Sequence, residues 1–100
     1  MFEAKKTPEF QLWESEIKDK RLRTSVAARI ARLCAGNKGN HKYIGDGIIE
    51  LKIDYGSGYR IYTKQITRDF ILVLCGGDKS DQQSDIEAAK NIAKKWKVSK

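Results

Sequence analysis

One hundred residues are enough for a single domain with one modest core, and too few for two. Forty per cent of them are hydrophobic, yet the longest apolar run, Phe70 to Cys75, is six residues, far short of the roughly 20 that cross a bilayer. Twenty basic against thirteen acidic side chains leave a net charge of +7, which predicts attraction to a polyanion, either nucleic acid or an acidic protein tail. The charge is spread along the chain, so a basic face has to be assembled by folding. Met1 to Lys6 holds no apolar h-region, so a soluble, cytoplasmic chain without a membrane partner is expected. Cys34 and Cys75 stand far apart with no CxxC and no neighbouring histidine. They read as buried small hydrophobes and not as metal ligands.

No linker, repeat or low-complexity stretch divides the chain, and residues 1–100 read as one α+β domain. Residues 2–6 suit a short edge strand or an extended arm. Thr7-Pro8-Glu9 is a helix start: a capping hydroxyl, a proline at the first helical position and an acid at the positive end of the dipole. Phe10, Trp13 and Ile17 then fall on one face, and the charged stretch Lys18 to Arg23 holds the turn. A second helix over roughly 21–35 carries the stripe Val26, Ile30, Leu33, Cys34 and ends at Gly36-Asn37-Lys38-Gly39-Asn40. The two helices form a hairpin expected to cover one sheet face.

Beyond residue 40 the apolar period changes from 3.6 to 2. His41 to Ile44 suits a short strand and Gly45-Asp46-Gly47 a turn. In 48–55, Ile49, Leu51, Ile53 and Tyr55 alternate with Ile48, Glu50, Lys52 and Asp54, which predicts one apolar and one polar face. Gly56-Ser57-Gly58 turns the chain into 59–64. A two-residue turn would set Ile53 opposite Arg60 and mix the faces, so an odd loop or a glycine bulge is expected. Glu50, Lys52, Arg60, Tyr62 and Lys64 then share a surface predicted to face solvent. Phe70 to Cys75 is apolar on both faces, the mark of a central strand, and Gly76-Gly77 is expected to end it. Ser80 to Gln83 matches a capping box for a last helix over about 81–96, with Ile86, Ala89, Ala93 and Trp96 on one side and Lys90, Lys94, Lys95 and Lys97 on the other. The expected architecture is a small antiparallel sheet packed against an N-terminal helical hairpin, with a C-terminal helix.

The P-loop, GxGxxG, HExxH and GxSxG patterns are absent. Gly76-Gly77-Asp78-Lys79-Ser80 looks like a phosphate loop but lacks the glycine-rich lead-in. His41 is the sole histidine, which excludes a two-histidine ribonuclease; its plainer reading is a solvated turn residue. What remains is cationic and phenolic. Arg60, mid-strand between Tyr59 and Tyr62, is either a face residue paired to Glu50 or a fork for two phosphate oxygens, able to stabilise a pentacoordinate phosphoryl transition state. Lys52 and Lys64 add to its field. Lys79 stands at the mouth of a helix N-terminus, where backbone N–H groups favour anions, or is a plain surface lysine. Tyr62 is a base-stacking ring or half-buried packing.

The runs Gly36-Asn37-Lys38-Gly39-Asn40-His41-Lys42, Gly45 to Ile53, Tyr55-Gly56-Ser57-Gly58-Tyr59-Arg60-Ile61-Tyr62 and Leu74-Cys75-Gly76-Gly77-Asp78-Lys79-Ser80 resemble the HigB-like "addiction module killer" branch of the RelE/ParE toxin superfamily, over nearly the whole chain. The resemblance implies a toxin of a type II toxin–antitoxin system, an mRNA interferase that cuts mRNA in the ribosomal decoding site and so inhibits translation. The ribose 2′-hydroxyl would attack its adjacent phosphate, with no metal and no cofactor. The implied partners are the ribosome, mRNA and an antitoxin of the helix-turn-helix DNA-binding kind. Arg60 matches the superfamily's strand arginine, Lys52 a basic position on the neighbouring strand, and Lys79 a basic residue after the last strand; these three are the expected catalytic set. Lys42, Tyr62 and Lys64 are expected to bind RNA beside them. The sequence departs from the pattern where many active members carry Tyr or His near the start of the final helix: it reads Asp81-Gln82-Gln83-Ser84-Asp85. Proton transfer would then fall to Tyr62, His41 or a ribosomal group. Arg60→Ala is expected to leave folding intact while slowing the reaction by about 10²–10³. The alternatives are a ParE-like DNA gyrase inhibitor on the same fold and a non-catalytic partner-binding module.

Overall fold

The computed structural model describes residues 1–96; Lys97, expected on the last helix, lies outside them. Glu3–Lys6 is the first strand (β1), and Thr7 turns the chain into a helix at Pro8–Ser15 (α1). The Thr7 side chain works in both directions as predicted for a cap and more. Its oxygen accepts from Phe10 N at 3.0 Å, while its hydroxyl donates to the Leu74 carbonyl at 2.6 Å. Phe10 is wholly buried, worth about 1.5–3 kcal/mol of apolar transfer. Asp19 caps the second helix, Lys20–Cys34 (α2), by accepting from Arg21 N and Leu22 N.

Four strands follow: His41–Tyr43 (β2), Ile48–Ile53 (β3), Tyr59–Gln65 (β4) and Phe70–Asp78 (β5). They make a five-stranded sheet in the order β1-β5-β4-β3-β2. β2, β3, β4 and β5 pair antiparallel in turn, but β1 lies parallel to β5, Glu3 opposite Phe70. The sheet is therefore mixed, where the sequence suggested a purely antiparallel one. A partner 67 residues away leaves no local signal.

The hairpin between β3 and β4 has the expected odd loop: Ile53 pairs with Tyr59 and Lys52 with Arg60, leaving five residues between. Gly56 and Gly58 take the positive φ angles of 59° and 100° that this loop needs. The Tyr55 hydroxyl donates to Asp19 at 2.7 Å, tying the loop to the start of α2 and holding the Asp19 carboxyl below its usual range.

β5 is central, as its two apolar faces predicted. Ile71 and Val73 join the core under α1 and α2 with Phe10, Leu22, Val26, Ile30, Leu33, Leu51 and Ile61. Leu72, Leu74 and Cys75 join a second core with Ile48, Tyr62 and Ala89, covered by the last helix, Gln82–Lys95 (α3). Cys75 behaves as a buried hydrophobe, its thiol pushed up to about 12 by burial. A bulge between Tyr62 and Thr63 leaves Leu74 unpaired in the β4–β5 register; its carbonyl is the one Thr7 captures.

Gly76-Gly77 does not end β5, which runs on to Asp78. The glycines instead admit a helix on each side. A Cβ at Gly76 would stand 2.6 Å from the Trp13 ring of α1, and one at Gly77 would run into the Asp85 carboxylate of α3. The capping box does not form either. Asp78 accepts from Ser80 N at 2.9 Å at the head of a single 3₁₀ turn, Lys79–Asp81, and α3 begins after it with no side-chain cap.

The predicted polar face of β3 and β4 is the largest correction. Glu50, Lys52, Arg60, Tyr62 and Lys64 do share one face, but α3 lies across part of it. Glu50 and Tyr62 are 0% exposed. Among the described residues no helix is long and apolar enough to cross a membrane.

Candidate functional site

Arg60 occupies the middle of a three-strand register, with Lys52 opposite on β3 and Gly77 opposite on β5. Cross-strand partners point the same way, so Lys52 stands beside it, and on the other flank the glycine makes room for the Asp85 carboxylate of α3. The 3₁₀ turn carries Lys79 to the same place: Lys79 N donates to Gly58 O at 3.1 Å, and its aliphatic stem packs over Gly58. Lys52, Arg60 and Lys79 therefore line one open cleft of about 350 Å³, together with Asn40, Asp54, the 56–58 loop and Tyr59. These are the three residues the sequence singled out as a set.

The other three lie elsewhere. Lys42 pairs with Glu50 on β2 and Lys64 with Ile48; both are on the α3 side of the sheet but outside this cleft. Tyr62 is a core residue. Its hydroxyl donates to Glu50 Oε2 at 3.1 Å, and burial, followed by the Glu50 charge, pushes its ionisation far above the ordinary phenol range. It neither offers a face to a base nor takes up a proton, and both expectations for it are withdrawn. His41 pairs with Leu51 and so sits on the opposite, helical-hairpin face, its Nδ1 2.8 Å from Gly39 O. It too is removed from the cleft.

Arg60 is itself largely enclosed, its side chain 14% exposed, with Nε 3.4 Å from Oε1 of the fully buried Glu50. Glu50 Oε2 also accepts from Gln82 Nε2 at 3.0 Å, so α3, β3 and β4 meet at one carboxylate. The pair foreseen as a surface ladder contact is an internal one. Neither Arg60 Nε nor Glu50 Oε1 makes a hydrogen bond among the described residues, so the contact between them is a charge pairing without hydrogen-bond geometry. Glu50 thus serves as the buried counter-charge of a guanidinium that also lines the cleft. The same burial overturns the expectation that Arg60→Ala leaves folding untouched. Removing one partner of a buried pair strands the other, at about 3–5 kcal/mol.

Lys79 was expected to share an anion with free N–H groups at a helix start. The Asp78 carboxylate already takes the Ser80 N–H there, and its hydrogen bonds to Ser80 hold it ionised below the usual range. Lys79 contributes an exposed ammonium only.

Three cleft residues escaped the sequence reading. Tyr59 sits by parity on the apolar face, yet at the end of β4 its ring folds against Gly56 and reaches the rim. Asp54 reads from the sequence as a polar-face residue of a strand over 48–55, which in fact ends at Ile53, and Asn40 as part of a helix terminator. Nothing in local pattern brings residues 40, 54 and 79 together; the sheet register does. Chemically, the cleft offers a planar fork, two ammonium groups, one carboxylate and one phenol. Groups of these kinds are chemically able to bind a phosphodiester and to offset added negative charge on it. Among the described residues no group of His, Cys, Asp and Glu is arranged to hold a metal ion.

No family model and no solved structure matches the chain. A protein of Haemophilus influenzae described as an "Uncharacterized protein" is 46% identical over 91 residues, which span 91% of this chain and 92% of that one. By similarity of that extent the chain belongs to the same family as that Haemophilus influenzae protein.

Proposed function

We propose that this chain is a RelE/ParE-type toxin of the HigB-like branch, an endoribonuclease that cleaves mRNA on the ribosome and is held silent by an antitoxin. The observation that carries the reading is the convergence of Lys52, Arg60 and Lys79 on one open cleft. The motif resemblance, the +7 charge and the α+β element order support it. In this reading Arg60 receives the non-bridging phosphate oxygens and Lys52 and Lys79 offset the charge that builds on them. Asp54, the one carboxylate among the described residues that line the cleft, accepts the proton of the attacking 2′-hydroxyl. As the P–O2′ bond forms the P–O5′ bond breaks, leaving a 2′,3′-cyclic phosphate, and the Lys79 ammonium protonates the departing 5′-oxygen. Tyr59 takes the base-stacking role first assigned to Tyr62.

The test is primer extension on a translated message after induction of the chain. Wild type is expected to give discrete cuts. Arg60→Lys keeps the charge that Glu50 needs and loses only the fork, so it should fold normally and cut about 10²-fold less. Intact transcripts under continued growth arrest would remove the nuclease and leave gyrase inhibition, which a supercoiling assay reads directly. One observation favours a non-catalytic, partner-binding role: the cleft contains no imidazole, and its arginine is partly satisfied by Glu50. Wild type that neither cuts nor slows growth would establish that role.

A further inference from the structure

Arg29 is an anomaly of the helical layer. It is 5% exposed, and no carboxylate lies within ion-pair distance of it among the described residues. Its guanidinium is instead held by main-chain carbonyls: Nε donates to Lys52 O at 3.1 Å, and one Nη donates to both Lys38 O and Asn40 O at 2.7 Å. Its other Nη is buried without a partner. One helical turn on stands Arg32, exposed and also without an ion pair among the described residues. Burial, followed by the nearby Arg32 charge, lowers the Arg29 ionisation. Two like charges at i and i+3 with no counter-charge destabilise the helix that bears them, unless an anion lies across them.

A cleft of about 410 Å³ opens at this point between α2 and the 38–40 segment. Arg29, Arg32, Ser25, Asn40, Lys52 and Asp54 are among its lining residues. Asn40, Lys52, Ile53 and Asp54 also line the Arg60 cleft, so the two clefts meet at the end of β3, the Arg60 half on the α3 side of the sheet and this half on the α2 side.

We propose that the α2 half is a second phosphodiester subsite, and that a single RNA strand runs through both halves. Identifying the strand as RNA rests on the function proposed above. Arg32 touches the second phosphate, while the Lys52 side chain stays with Arg60 at the first. Arg29, shut off from solvent, supplies field rather than contact and fixes the main chain of Lys52 and Asn40 that forms the shared wall. Asp54 lies between the two cationic halves, where it repels a phosphate but accepts a ribose hydroxyl, the group that separates RNA from DNA.

The test is binding of a short, labelled, single-stranded oligoribonucleotide with its 2′-hydroxyls intact, off the ribosome where the proposed cleavage does not run, read by fluorescence anisotropy across a salt series. Arg32→Gln is expected to weaken binding several-fold and to reduce the slope of log K against log salt by about 0.7, one phosphate's share on a single strand. Lys94→Gln, which removes the same charge from exposed α3, should leave the slope nearly unchanged. If Arg32→Gln and Lys94→Gln behave alike, the second subsite is overturned while the nuclease reading stands. If Arg32→Gln acts as expected but wild type makes no cuts in the primer-extension experiment, the nuclease fails and the subsite holds, because this probe reports binding alone.

Discussion

Thr7 shows how much one side chain can settle. It was chosen from the sequence as a helix cap, and it is one. Its second bond, to the Leu74 carbonyl, could not be read there, because it depends on a bulge that frees that carbonyl from the β4–β5 ladder. Thr7→Val keeps the shape and removes the hydroxyl. Phe10 N then loses its acceptor and the Leu74 carbonyl its donor, both inside the core. The expected loss is about 2–3 kcal/mol, or a fall in Tm on the order of 10–20 °C for a domain of this size. Thermal unfolding followed by circular dichroism measures it, and a fall of only a few degrees would mean that water satisfies both groups. Arg60 and Tyr62 teach the converse. Parity correctly placed both on one face with Lys52, but alternation says which residues share a face and not whether a helix lies over it.

At the scale of elements, helices α1 and α2 and strands β3, β4 and β5 were legible because each carries its own period and its own punctuation. The Gly76-Gly77 pair was misread because glycine has two meanings in a strand: an end, or a place where something approaches closely. Here Trp13 approaches from one side and Asp85 from the other. The second contact has a consequence for pH. One Asp85 oxygen is buried without a partner, and burial, followed by the charges of Asp81 and Asp78, raises its carboxyl above the ordinary value. A carboxyl raised in the folded state binds more protons folded than unfolded, between its ordinary and its raised pKa. The stability it contributes therefore falls as pH rises from about 4 through that window. Asp19 and Asp78, both lowered, act the other way and lose their contribution on acidification. Comparing Asp85→Asn with wild type isolates the first effect. The gap in unfolding free energy, variant minus wild type, should shrink as pH falls from neutral towards about 4. A gap that does not change with pH would show that the carboxyl has its ordinary pKa and that the α3 start is open to water.

Across the whole molecule, the fold converts a charge spread along the chain into a local one. Lys52, Arg60 and Lys79 come from separate elements, and Arg29 and Arg32 reach the same groove from α2. The register of β3, β4 and β5 and the anchoring of α2 to Lys52 and Asn40 through Arg29 determine which of the twenty basic residues end up there. Net charge and groove charge make different predictions. If +7 alone attracts a polyanion, any two lysines or arginines are equivalent. If the groove does, position decides. Two double variants of equal net charge separate these: Lys52→Gln with Arg32→Gln, and Lys94→Gln with Lys95→Gln, the latter pair both exposed on α3. A polyanion that binds the folded chain raises Tm by mass action, and added salt erases the rise by screening and counter-ion competition. With a single-stranded RNA homopolymer at low salt, wild type and the α3 variant should show the same rise, and the groove variant should lose most of it. Equal rises in both variants would mean that the fold does nothing to gather the charge, and the groove would then be ordinary surface.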